Sequence, residues 1–177
     1  APEMLEDDGL NLIQPETRQA INNGLAFLAD RQHEDGTFGV VEYGRNVAVV
    51  SLGGLAFMAS GSTPGRGPYG REVNRCVQYI LNNAQDSGYV IAPNAASHGP
   101  MYGHGFATLM LGEVYGMTGD ERIREPLLKA VKLIVNSQNH EGGWRYQPWP
   151  YDADLSVTIC QVMALRSARN AGISVPK

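Results

Sequence analysis

The 177 residues, 43% of them hydrophobic, suffice for one domain with a substantial apolar core. A formal charge of −4 and a pI near 5.5 leave no basic footprint for nucleic acid, and that partner class is set aside. The absence of like-charge blocks and low-complexity tracts argues against disordered segments away from the ends.

The chain opens Ala1-Pro2-Glu3-Met4, without an initiator Met or a signal sequence, a start that suits a processed or trimmed chain. Pro15-Glu16 then suits a helix N-terminus, and Ile21, Leu25 and Leu28 fall on one face of an amphipathic helix. Residues 46–65 carry no charge. Their apolar part, 47–59, is broken by Ser51, Gly53 and Gly54 and is too short to span a bilayer. It predicts a helix over 46–60, buried on most sides, and no integral membrane segment. Val73, Cys76, Val77, Ile80 and Leu81 form a second amphipathic stripe. Tyr89-Val90-Ile91 lies in a Gly/Pro/Asn-rich loop and makes no convincing strand. A second apolar helix is expected over 103–117. Pro126 is unsuited to a helix interior, so the third amphipathic helix is expected to start there, with 119–125 as a separate turn. Its stripe is Leu127, Val131, Ile134 and Val135, with Lys129 and Lys132 facing away. A last apolar helix is expected over 153–171. Cys76 and Cys160 read as free, buried thiols, and no metal-type spacing is present.

Self-similarity at a long period organises these elements. Gln32-His33-Glu34-Asp35-Gly36-Thr37-Phe38 aligns with Gln138-Asn139-His140-Glu141-Gly142-Gly143-Trp144 at an offset of 106 residues, twice 53. A degenerate middle copy places Gly88 against Gly36 and Gly142, Ala84 at the Gln position, and the aromatic Tyr89 next to the Gly. Amphipathic outer helices and apolar inner helices describe an all-α protein, a two-layer ring or curved stack of three helix hairpins. The expected organisation is one domain, 1–177, with repeats at about 15–65, 66–118 and 119–174. The turn has its own physical rationale. A Gln ending an outer helix can reach free N–H groups at the start of the next inner helix. The Gly allows a left-handed termination, and the aromatic covers the Gln side chain. On this reading Gln32, Gly36, Phe38, Gln138, Gly142 and Trp144 are structural.

These Gln-x-x-x-Gly-x-aromatic turns resemble the QW-type repeats of the terpenoid cyclase and protein prenyltransferase superfamily. The resemblance runs from about Pro15 to about Gly172. Tyr102-Gly103-His104-Gly105-Phe106-Ala107 and Asp152-Ala153-Asp154-Leu155-Ser156-Val157-Thr158 are similar to segments of bacterial prenyltransferase/squalene-oxidase repeat proteins. The resemblance implies an α/α toroid. A closed ring of that superfamily takes about six hairpins, so three would make a half toroid. Either two copies then complete the ring, or the natural protein continues beyond Lys177, or the stack stays open; bare apolar flanks on the first and last hairpins favour the homodimer. The implied function is a soluble domain, in the bacterial cytoplasm or periplasm, binding an isoprenoid or other apolar ligand in the central cavity.

Chemistry would sit at the N-termini of the inner helices, which the toroid directs toward its cavity. Asp152-Ala153-Asp154-Leu155 resembles the Asp-x-Asp-Asp motif of class II terpene cyclases, incomplete here because Leu155 stands at the last Asp. Carried over, Asp154 is the general acid that protonates an alkene or epoxide, which requires a carboxyl kept protonated in a dry pocket. The competing reading makes Asp152 or Asp154 a helix N-cap. His104, between Gly103 and Gly105, either meets the ligand and partners Asp154 or is bonded within the core. Tyr102 and Phe106, with Tyr146, Trp149 and Tyr151 from the run Trp144-Arg145-Tyr146-Gln147-Pro148-Trp149-Pro150-Tyr151, are candidate ligand-binding residues. Their rings could stabilise a carbocation, stack on sugars, or pack over helix ends. His98 reads as exposed. Two rival functions follow: a dimerising scaffold without chemistry, and a glycan-binding or glycan-cleaving α/α toroid. No cofactor motif is present, and the Asp/Cys/His zinc site of prenyltransferase β subunits has no counterpart around Cys160.

Overall fold

A computed structural model describes residues 13–39 and 42–176. Among them the chain is all-helical, and only isolated bridges, such as Gln32–Phe38 and Ala84–Val90, pair extended segments. In order come α1 (Pro15–Arg31), one turn of 3-10 helix (Glu42–Arg45), α2 (Val47–Ala59), α3 (Gly70–Asn82), α4 (Pro100–Thr118), α5 (Glu121–Asn136) and α6 (Leu155–Asn170). None of the described helices is long and apolar enough to cross a membrane.

The helix starts follow local chemistry. Asn46 caps α2 by accepting the Ala48 N–H at 2.8 Å, and Asp154 caps α6 by accepting from Ser156 and Val157. The expected break at Pro126 is absent. α5 begins at Glu121, with Asp120 accepting the Arg122 N–H, and Pro126 lies inside the helix. Proline in a helix interior costs about 3 kcal/mol. Full burial of Ile123 and Leu127 and the Asp120 cap offset that, since each buried aliphatic contributes about 1.5–3 kcal/mol.

α4 packs between α2 and α6, while α3 packs on α2 and α5 on α4 and α6. Small residues set the spacing of the inner helices. A Cβ at Gly112 would stand 2.5 Å from Ser167 Oγ and 3.0 Å from the Ala168 nitrogen. The main core includes Val50, Phe57, Val73, Ile80, Met110 and Leu127, and a smaller one joins Met101, Ile134, Trp144, Val157 and Ala164.

The three turns share one backbone design. His33, Gln85 and Asn139 each donate their N–H to the carbonyl four residues on, and their own carbonyls accept from Gly36, Gly88 and Gly142. Those glycines have φ of 91°, 88° and 87°, the left-handed region where a side chain is strained. The residue two positions after each glycine, Phe38, Val90 or Trp144, is buried each time. The Gln side chains depart from expectation, because neither reaches the next inner helix. Gln32 Nε2 donates to the Glu72 carbonyl at 3.1 Å and to Cys76 Sγ at 3.2 Å, both on α3. Gln138 is exposed and donates to the Gly142 carbonyl of its own turn. The reason is competition: Asn46 and Asp154 already cap α2 and α6.

Candidate functional site

A cleft of about 440 Å³ opens where α2 and α4 begin. Asn46, Ala48 and Val49 come from α2 and its cap, Gly99, Tyr102 and Gly103 from the start of α4, and Ser97 and His98 from the preceding loop. Tyr43 of the 3-10 turn and Tyr146 of the α5–α6 loop complete the lining. Asn46 ties the parts together: while its Oδ1 caps α2, its Nδ2 donates to the Ala96 carbonyl at 2.7 Å. The Met101 N–H donates to the Tyr146 carbonyl at 3.1 Å, drawing the α5–α6 loop over α4. Gly99 leaves room for two rings, since a Cβ there would lie 2.9 Å from Tyr102 and 3.1 Å from Tyr146. The Tyr102 and Tyr146 rings are 6.1 Å apart, as are those of Tyr43 and His98. His98 is exposed, as expected, and Tyr43 is 43% exposed.

Asp154 stands beside this cleft. One oxygen accepts from the Ser156 hydroxyl at 2.5 Å and the N–H groups of Ser156 and Val157. The other accepts from the Tyr146 hydroxyl at 3.4 Å. The Tyr102 hydroxyl bonds that of Ser156, so the four side chains form one polar chain. The Ser156 hydroxyl above all, then the Val157 N–H, holds the Asp154 carboxyl below its ordinary value. Asp154 is therefore ionised at neutral pH and serves as the α6 cap. Asp152 pairs with Arg145 and accepts the N–H of Ala153 at 2.7 Å.

His104 does not meet Asp154 and does not line the cleft. It is fully buried, with the Val90 N–H donating to Nδ1 at 3.2 Å and the Ala130 carbonyl 3.3 Å from Nε2. Accepting at Nδ1 puts the proton on Nε2, which donates to Ala130. Burial pushes the imidazole down to about 4, so it stays neutral. The repeat explains this role. Val90 and Trp144 hold the same turn position, and the Trp144 N–H donates to Thr158 Oγ1 at 3.0 Å. Both acceptors lie 14 residues beyond their donor, making His104 and Thr158 equivalent.

Of the aromatic candidates, Tyr102 and Tyr146 line the cleft, while Phe106 on α4 is half-buried outside its lining. Trp149 and Tyr151 are 59% and 82% exposed on the α5–α6 loop. Trp144 is buried and donates Nε1–H to the Ile134 carbonyl at 2.7 Å. Sequence reasoning missed Tyr43 and Asn46 as cleft residues. Asn46 carried an N-cap signal before an apolar run, but nothing marked Tyr43. Cys76 is buried and its thiol is pushed up to about 12 by desolvation, which makes it inert. Among the described residues no cluster of three or more His, Cys, Asp or Glu is placed to hold a metal. Compared with protein-family models, curated proteins and solved structures, the chain matches none.

Proposed function

We propose that this chain is a binding domain of the terpenoid cyclase/prenyltransferase kind that works as a homodimer and takes an isoprenoid or similarly apolar ligand into the Tyr43–Tyr102–Tyr146 cleft. The lining carries the reading. Three tyrosine rings and Val49 surround about 440 Å³, with Asn46, Ser97 and His98 as polar side chains and no carboxylate. That size falls in the roughly 300–1,000 Å³ range of small-molecule sites, and the mixture of apolar walls with few polar groups is typical of them. A prenyl chain ending in a hydroxyl matches it.

Binding is favoured over proton-initiated cyclisation because the hydrogen bonds on Asp154 stabilise its charged form, whereas alkene protonation needs the neutral acid. Glycan cleavage is disfavoured because it uses two carboxylates flanking the bond. The test is calorimetric titration with farnesol. Saturable binding is expected, weakened at least about tenfold, or about 1.4 kcal/mol, by Val49→Trp or by Tyr43→Ala with thermal melting unchanged. No saturable binding, or equal binding by the variants, rejects the proposal.

A further inference from the structure

Among the described residues, two surfaces of the repeat mate twice inside the chain and stand unmated once at each end. The first turn docks on α3, where a Cβ at Gly36 would stand 2.5 Å from the Arg75 carbonyl oxygen. The second docks on α5 in the same way, with Gly88 placing a Cβ 2.3 Å from the Lys129 carbonyl oxygen. An acid of the turn marks each junction: Glu34 pairs with Arg75 and Asp86 with Lys129. Arg75 and Lys129 each lie nine residues before the Gln position, Ala84 or Gln138, and Asn23 lies nine before Gln32.

α1 thus has the register of the helices that turns dock on. α3 buries Val73, Cys76, Val77 and Ile80, and α5 buries Leu127, Ala130, Val131 and Ile134. At the same positions α1 carries Ile21, Gly24, Leu25 and Leu28, but Ile21 is 46% exposed and Gly24 faces open space. At the opposite end, a Cβ on Gly142 would meet only Gln138 Nε2, at 3.8 Å. α6 beside it exposes Leu155 (78%), Ile159 (51%) and Val162 (51%). These lie 54 positions after Met101, Gly105 and Thr108 of α4, the same offset that separates Gly88 from Gly142. All three α4 residues are buried, Met101 and Gly105 against Gln161 of the next inner helix, α6.

We infer that the first repeat of a second copy docks on the third repeat of the first, α1 on the third turn and α2 beside α6, and reciprocally, forming a head-to-tail pair. The inference rests on the homodimer reading and assigns its surfaces. The two described faces left unmated are the complementary halves of a junction that the chain already builds twice, and two copies joined this way leave neither bare. Gln138 then reaches the Ala20 carbonyl as Gln32 reaches that of Glu72, since Ala20 and Glu72 both lie twelve before the Gln position. Asn23 and His140 occupy the places of the internal ion pairs, so this contact holds no carboxylate–cation pair.

The tests are sedimentation velocity and cross-linking of the full chain. A dimer is expected that Ile159→Asp shifts to monomer with helix content unchanged, and that Asn23→Lys with His140→Asp tightens by restoring the internal ion pair. Mixing the single variants Asn23→Cys and His140→Cys under oxidation should give a covalent dimer, while each variant alone stays uncrosslinked. A monomer at every concentration, a ladder of larger species, or cross-linking of one variant alone overturns the junction. A monomer that still binds farnesol overturns the junction and leaves the cleft reading standing.

Discussion

Helices α4 and α6 occupy the same place in successive repeats, yet they live in different surroundings. α4 has α2 on one side and α6 on the other, and Met101, Gly105, Thr108 and Gly112 are all buried. α6 buries Val157, Gln161, Ala164 and Ala168 toward α4 but exposes Leu155, Ile159, Val162 and Arg166. The residues follow the surroundings: where α4 has a neighbour it uses glycine and threonine for close approach, and where α6 has none within the chain it carries large aliphatics. Position in a repeat therefore does not set the cost of a substitution; the presence of the next repeat does.

The turn glycines test this most sharply. Gly88→Ala combines a left-handed φ with a backbone clash against α5 and should cost about 3 kcal/mol or more. Gly142→Ala carries the same φ without a clash inside the chain and should cost about 1 kcal/mol in the monomer, both read by urea unfolding in the monomeric Ile159→Asp background. Equal losses would remove the distinction between covered and open turns.

The equivalent acceptors His104 and Thr158 differ in that only His104 titrates. Its folded value, about 4, lies below its ordinary 6.5, so the unfolded chain takes the proton first. Stability should fall as pH drops from about 6.5 to 4, by about 3 kcal/mol in all, at about 1.4 kcal/mol per unit. His104→Gln should flatten that slope in pH-dependent denaturation, and an unchanged slope would assign it to other groups. Thr158→Val leaves the Trp144 N–H without its partner and should cost about 1–2 kcal/mol at any pH. The smallest contrast is between the two glutamines. Gln32→Ala should cost about 1 kcal/mol through its bonds to α3, and Gln138→Ala less than about 0.5 kcal/mol in the monomer, compared by thermal melting.

The helices were legible because their signals are local. Pro15 marks the start of α1, the 3.6-residue stripes mark α3 and the body of α5, and the apolar runs place α2, α4 and α6 within a few residues of the observed bounds. Pro126 misled, because the burial that offsets a proline comes from distant residues. The candidate site was less legible. Tyr102 and Tyr146 came forward from their segments, but Tyr43 and Asn46 join them from separate parts of the chain, and no spacing encodes that meeting.

The amino-acid sequence alone determined an all-helical chain and the repeating Gly36, Gly88 and Gly142 turn, since both rest on dihedral and periodic preferences of neighbouring residues. Tertiary structure decided what the polar residues do. His104 could have faced a ligand or the core, and the Val90 N–H and the Ala130 carbonyl put it in the core. Asp154 could have been an acid or a cap, and the first turn of α6 with the Ser156 hydroxyl made it an ionised cap. A polar side chain takes its role from the donors and acceptors that folding brings within about 3 Å, and those come from elsewhere in the chain.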